Sequence, residues 1–259
     1  MNEQTNSSED RELEHKLVSE VAREMLKEQR RARRWGIFFK LLLAVYVLAF
    51  FLVYTGKRLD VDTRGIGGKT HTALVEIEGA IGPNGRASAD NIVSGLRAAY
   101  KDENTAGIIL RINSPGGSPV QSGYVNDEIY RLRGEHPDIP VYAVITDLCA
   151  SGGYYIASAA DRIYADKASL VGSIGVIMAG FGFVEAIDKL GVERRVLQSG
   201  DNKSFMDPFT PLRDDEVAHV KTMLGEIYEQ FKEVVRKGRG SRLGGDDIVF
   251  SGLIWTGDR

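Results

Sequence analysis

Two short apolar runs in the chain end in the same way. AGIILRIN, residues 106–113, runs into SPGGSP, and IPVYAVITD, residues 139–147, runs into LCASGG. Unbroken apolar runs of this length, bounded by turn residues, read as buried strands. A helical pattern follows each glycine pair, at 120–135 and again at 154–160. Strand, tight loop and helix in repetition constrain the chain to an α/β fold with a mostly parallel sheet. Ligands of such sheets bind at the carboxyl ends of the strands. Both glycine loops occupy those ends, so the topology favours their convergence.

The alternation extends to both sides. HTALVEIEGAI, residues 71–81, reads as a strand. ADNIVSGLRAAYKD, residues 89–102, reads as a helix with Ile92, Val93, Leu96 and Ala99 on one face. DRIYAD (161–166), SIGVIMA (173–179) and VERRVLQ (192–198) are expected as further strands, with a helix over 183–191 between the last two. Residues 211–239 read as a long amphipathic helix. Its stripe is Val217, Val220, Leu224, Ile227, Phe231 and Val234, a core-facing pattern.

Glycine, at 29 residues, exceeds the usual ~7%, as functional loops or close backbone packing require. At the start of a helix, free backbone N–H groups and a partial positive charge face outward. Glycine there lets a substrate carbonyl approach, so the two loops are either an oxyanion hole or simply tight turns. Ser151 stands at the mouth of the second helix, and as a nucleophile it needs a base. The histidines, His15, His71, His136 and His219, carry no motif context. A desolvated lysine can serve instead, and spacing alone does not choose among Lys69, Lys101, Lys167, Lys189 and Lys203. Cys149, the sole cysteine, reads as a small buried hydrophobe at a strand end. A single cysteine also excludes an internal disulfide, and no Cys/His spacing suits a structural metal. TRGIGGKT, residues 63–70, is a near miss to a phosphate loop, but a strand pattern follows where a helix is needed.

A second feature concerns location. Residues 37–54 are apolar except for Lys40, near the lower limit for a membrane span at roughly 1.5 Å per residue across a core of ~30 Å. The basic run KEQRRARR precedes it, and only Lys57 and Arg58 follow closely. That asymmetry predicts a cytoplasmic N-terminus and an uncleaved signal anchor. Residues 11–33 read as a solvated or interfacial helix. The net charge of -3 gives no basic signature for nucleic acid.

Together, INSPGG, ASGGYYIASAADRIYA and LVGSIGVIM resemble the single-domain, membrane-anchored signal peptide peptidases of peptidase family S49, a Ser-Lys protease group. The resemblance runs from about Ala73 to the last residue. It implies Ser151 as nucleophile and Lys203, in QSGDNKSFMDPF, as general base. It further implies Ser173 as the residue orienting the lysine, and Gly117, assisted by Gly152, as the oxyanion hole. The implied fold is ClpP/crotonase-like, of repeated ββα units preceded by one transmembrane helix. No cofactor and no metal are implied.

The expected organisation is a cytoplasmic segment at 1–34, a transmembrane anchor at 35–55, a linker at 56–72 and a peptidase domain at 73–259. The family's usual last strand and helix are missing after SGLIWTGDR, so that end is expected to be truncated. The resemblance implies an inner-membrane endopeptidase with its catalytic domain on the extracytoplasmic side. Its partners would be remnant signal peptides and other extended apolar peptides, the lipid bilayer, and further copies of itself. Serine and lysine would come from adjacent subunits of a homo-oligomer. Alternatives are a stomatin-linked S49-type membrane peptidase, a crotonase-type acyl-CoA enzyme, and a silent scaffold that only binds signal peptides.

Overall fold

Along the central strands alternate residues are buried, and that alternation decides which face of the sheet the helices cover. The computed structural model describes residues 35–51, 69–244 and 247–259, in two units, Met1–Gly67 and Gly68–Arg259. In the first unit, residues 35–51 form helix α1, exposed along its whole length. Among the described residues no helix is long and apolar enough to cross a membrane. The described part of α1 stops at Phe51, short of the end of the apolar run at Tyr54. The predicted helix over 11–33, the basic run before α1 and the linker up to residue 68 lie outside the described residues.

The second unit is built on one sheet. Strands β1 (His71–Glu78), β2 (Thr105–Ser114) and β3 (Val141–Ala150) lie side by side and parallel. β4 (Arg162–Ala165) pairs with the first half of β3, and β5 (Leu170–Gly172) pairs with its last residues. β6 (Ile254–Thr256) closes the edge antiparallel to β5. Helices α2 (Ala89–Lys101) and α3 (Pro119–Glu135) connect the first three strands. Each begins on a serine cap: Ser88 Oγ accepts the Asn91 N–H, and Ser118 Oγ accepts the Gln121 N–H ahead of Pro119 at the first turn.

The core is the layer between these helices and one face of the sheet. Ile77, Leu110, Ile112, Val141 and Ala143 from the strands meet Ile92, Leu96, Val125 and Ile129 from the helices. The opposite face is only partly covered. It carries the Arg111–Glu76 ion pair, and Tyr142 stands edge-on to Tyr164. Thus the apolar runs expected as fully buried strands are buried on one face only.

A short helix α4 (Gly152–Ala157) follows β3 directly, and α5 (Val184–Lys189) lies farther along the chain. The long helix α6 spans Asp214–Arg239, beginning three residues later than predicted. Phe231 and Val235 from α6 form a second small core with Ile174 and Phe250.

Three expectations require correction. The mostly parallel α/β sheet is present, but the second strand of a ββα repeat is absent between β1 and α2. Two isolated bridges, Ile81 with Ala87 and Ile81 with Gly117, stand there instead. SIGVIMA is not a strand: β5 ends at Gly172, and no regular structure follows until α5. VERRVLQ is likewise not a strand. Among the described residues the last two segments find no neighbouring strand, so their backbone groups have no ladder to join there. Beyond buried Ile174, several of their apolar side chains project outward, with Ile177 85% and Leu197 101% exposed.

Candidate active site

β2 and β3 end level with each other, with Ser114 opposite Cys149. Their two glycine loops therefore start side by side. Buried Ser114 secures the first loop: its Oγ donates to the Gly79 carbonyl at 2.7 Å and accepts the Gly116 N–H at 3.1 Å. The loops then touch backbone to backbone. A β-carbon on Gly116 would lie 2.7 Å from both the Gly152 nitrogen and the Ser151 β-carbon. A β-carbon on Gly152 would lie 2.5 Å from Ser122 Oγ and 3.2 Å from the Gly117 nitrogen. The glycines are required by this contact, since any side chain would force the loops apart.

Ser151 sits in a sharp strand-to-helix turn with φ 50° and ψ -121°. A non-glycine residue there carries strain of about 1–3 kcal/mol, which surrounding contacts have to hold. Its N–H donates to the Gly172 carbonyl at 2.9 Å, and its carbonyl accepts the Tyr155 N–H at 2.9 Å. Although Ser151 is the N-cap of α4, its hydroxyl makes no capping bond. A hydroxyl presented on a strained elbow and free of structural duty is the arrangement a serine nucleophile needs.

The neighbouring strand repeats the geometry. Ala150 pairs with Gly172, so Ser151 and Ser173 stand one step beyond a matched pair of parallel strands. Ser173 also has a positive φ, 52°, and its N–H donates to the Leu253 carbonyl at 2.8 Å. Nothing in the local sequence around Ser173 signals that left-handed turn, whose N–H is held by a carbonyl distant in sequence.

Ser151, Gly117 and Gly152 line one cavity of about 490 Å³. No acceptor among the described residues takes the Gly117 N–H, and the Gly152 N–H, first in α4, has no partner inside its helix. Tyr155, Ile177 and Phe231 form apolar walls. Lys203 does not line this cavity: it is exposed on the turn over 199–206, where its N–H donates to the Gly200 carbonyl. Within one chain, therefore, the structure brings together the expected nucleophile and the expected oxyanion donors but not the expected base. Cys149 is fully buried, and burial pushes its thiol pKa up, which leaves it inert.

Sequence reasoning missed Asp127 and Gln230, which also line the cavity. A signal was available for the first. Pro119, Gly123 and Asp127 recur every four residues, so they share one face of α3. That face begins at the glycine loop.

The model of peptidase family S49 matches residues 135–259. The chain is 41% identical over 194 residues to a Na(+)/H(+) antiporter NhaA of Brucella melitensis, covering 73% of this chain and 26% of that protein. It is 33% identical over 189 residues to Protease 4 of Haemophilus influenzae, covering 71% and 30% respectively. It is 28% identical over 200 residues to the chloroplastic serine protease SPPA of Arabidopsis thaliana, covering 74% and 29%. The chain thus spans less than a third of each of these relatives.

Proposed function

We propose that this chain, a member of peptidase family S49 by its residues 135–259, is a membrane-anchored serine endopeptidase that degrades remnant signal peptides. One observation carries the peptidase reading. Ser151 presents an uncommitted hydroxyl from a strained elbow, into the cavity that the Gly117 and Gly152 backbones also line.

In the proposed reaction Ser151 Oγ attacks a peptide carbonyl. The developing oxyanion accepts the N–H of Gly117, assisted by that of Gly152. Lys203 from an adjacent subunit takes the Ser151 proton and returns it to the leaving amine; water then releases the acyl group. A lysine accepts a proton only as the neutral amine, a form favoured by desolvation. An interface supplies that desolvation, whereas the exposed turn of one chain does not. The Ser173 hydroxyl orients the amine. The substrate lies extended along the sheet edge, and the apolar walls suit the apolar segments of signal peptides.

The exposed apolar segment between β5 and α6 supports a homo-oligomer. Ile177, Phe181 and Leu197 are each more than 80% exposed, and apolar surface of this extent marks an interaction site. Exposed α1 and the apolar run to Tyr54 support an anchor in the cytoplasmic membrane, with the peptidase unit on its extracytoplasmic side.

The deciding experiment uses a serine-directed fluorophosphonate on the detergent-solubilised full chain. The expected result is labelling and peptide hydrolysis in the wild type, with both abolished in Ser151→Ala. Labelling that persists in Ser151→Ala would sink the assignment.

A further inference from the structure

The cavity beside Ser151 has a polar far end that the proposed chemistry does not use. Along α3, the cavity-lining face runs from Pro119 through Gly123 to Asp127. Eight residues of helix place Asp127 about 12 Å from Pro119 along the axis, at 1.5 Å per residue. Gly123 lies midway on this face, and a β-carbon there would lie 4.0 Å from the Tyr155 hydroxyl, so Gly123 and Tyr155 face each other across the path. Val120 and Tyr124 flank the path on α3, and Ile227 and Phe231 wall it from α6. The result is an apolar passage leading away from the nucleophile, with a carboxylate and the Gln230 amide among its lining.

Asp127 is the one acidic side chain that lines this cavity. The basic residues nearest to it in α3 are engaged elsewhere. Arg131 binds Glu128 and Glu135, and Arg133 binds Asp161. Glu128, next in sequence, does not line the cavity and is held by Arg97 and Arg131. None of the ion pairs among the described residues includes Asp127. Tyr155 and Asp127 both line the cavity, and the Tyr155 phenol has its pKa raised by burial first and by the Asp127 charge second.

We propose that Asp127 is a specificity residue that selects a lysine or arginine in the substrate, at the residue whose carbonyl Ser151 attacks. The apolar passage covers the methylene stem of such a side chain, and its charged head emerges at the carboxylate. The Asp127 carboxylate and the Gln230 side-chain oxygen accept its N–H groups. A neutral side chain of equal length fills the same passage but leaves the exposed Asp127 carboxylate to water. The preferred substrate is therefore an extended peptide with a basic residue next to apolar ones, rather than a uniformly apolar one. This inference rests on the serine peptidase reading for its catalytic arm only.

The test uses the detergent-solubilised full chain and fluorogenic peptides that differ only at the residue before the scissile bond: lysine, norleucine or glutamate. The wild type is expected to favour lysine over norleucine in kcat/KM by about 2- to 5-fold, the range of an ion pair at an exposed carboxylate. Asp127→Asn, which keeps the side-chain shape, should bring that ratio close to one. Asp127→Lys should shift the preference to glutamate. A wild-type preference for norleucine, or a lysine preference untouched by Asp127→Asn, overturns the inference. A binding arm separates it from the catalytic reading. In Ser151→Ala, fluorescence anisotropy should show the lysine peptide binding more tightly than the norleucine peptide. The difference should vanish in the Ser151→Ala, Asp127→Asn double variant. If the wild type hydrolyses none of the peptides, the peptidase reading fails while the anisotropy result still decides the role of Asp127. Equal affinities in Ser151→Ala overturn that role.

Discussion

Glu128 shows how one residue adjusts the fold around the site. Its carboxylate is 8% exposed and accepts N–H groups from Arg97 at 2.7 Å and Arg131 at 2.7 and 2.8 Å. Hydrogen bonds from Arg131 and then Arg97 lower its pKa from 4.5 to about 2. The folded state thus favours the charged form. Its contribution to stability is fully present above pH 4.5 and is lost as the pH falls toward 2. Glu128→Gln should cost on the order of 1–3 kcal/mol at neutral pH, the range for hydrogen bonds to charged groups. It should also flatten the stability profile across the acid range. Urea titrations of both proteins at pH 7, 4.5 and 3 check this; an unchanged acid slope would count against the ion-pair account. At this same scale, the need for bare backbone at Gly152 was legible in the repeated GG loops. The positive φ of Ser173 was not, because its N–H is held by a carbonyl distant in sequence.

Helix α6 carries two glycines with opposite roles. Gly225 has no heavy atom within 4 Å of where a β-carbon would sit. Gly225→Ala should therefore stabilise the protein by about 0.5–1 kcal/mol, through lower chain entropy in the unfolded state and better helix propensity. At Gly238 a β-carbon would lie 2.1 Å from the Ser158 carbonyl oxygen and 3.0 Å from the Tyr130 hydroxyl. Here the overlap outweighs the propensity gain. Gly238→Ala should destabilise by about 1–3 kcal/mol as α6 is pushed off the segment after α4. Thermal melts of the two variants should shift in opposite directions, and a matching shift would contradict the packing described. The elements themselves were legible wherever a period or a cap was strong, as in α2, α3 and α6. The strands read into 173–179 and 192–198 were not formed, since an apolar run specifies a strand only where a partner edge exists.

At the scale of the whole molecule, the separation of Lys203 from the Ser151 cavity turns a site question into an assembly question. If adjacent copies complete the site, mixed oligomers should rescue activity. Ser151→Ala and Lys203→Ala subunits, each inactive alone, should regain about a quarter of wild-type activity when co-assembled at random. The quarter arises because each site draws its serine and its lysine independently from the two pools. Zero recovery in verified mixed oligomers would place both residues within one chain. Phe181 and Leu197 are natural positions for a charge that blocks the assembly, since both stand on the exposed apolar segment.

The sequence by itself determined the local features: the parallel α/β class, the two glycine loops, the buried cysteine and Ser151 at a helix mouth. Each depends on short-range periodicity, turn chemistry or steric need, and these are written in neighbouring residues. Only the tertiary structure decided how the features meet. Strand register set Ser151 and Ser173 side by side, both at positive φ. The placement of α6 against α4 put its residues across from α3, with Asp127 along the passage they line. Long-range contacts choose such outcomes, and they depend on backbone pairing and side-chain volume summed over the whole core.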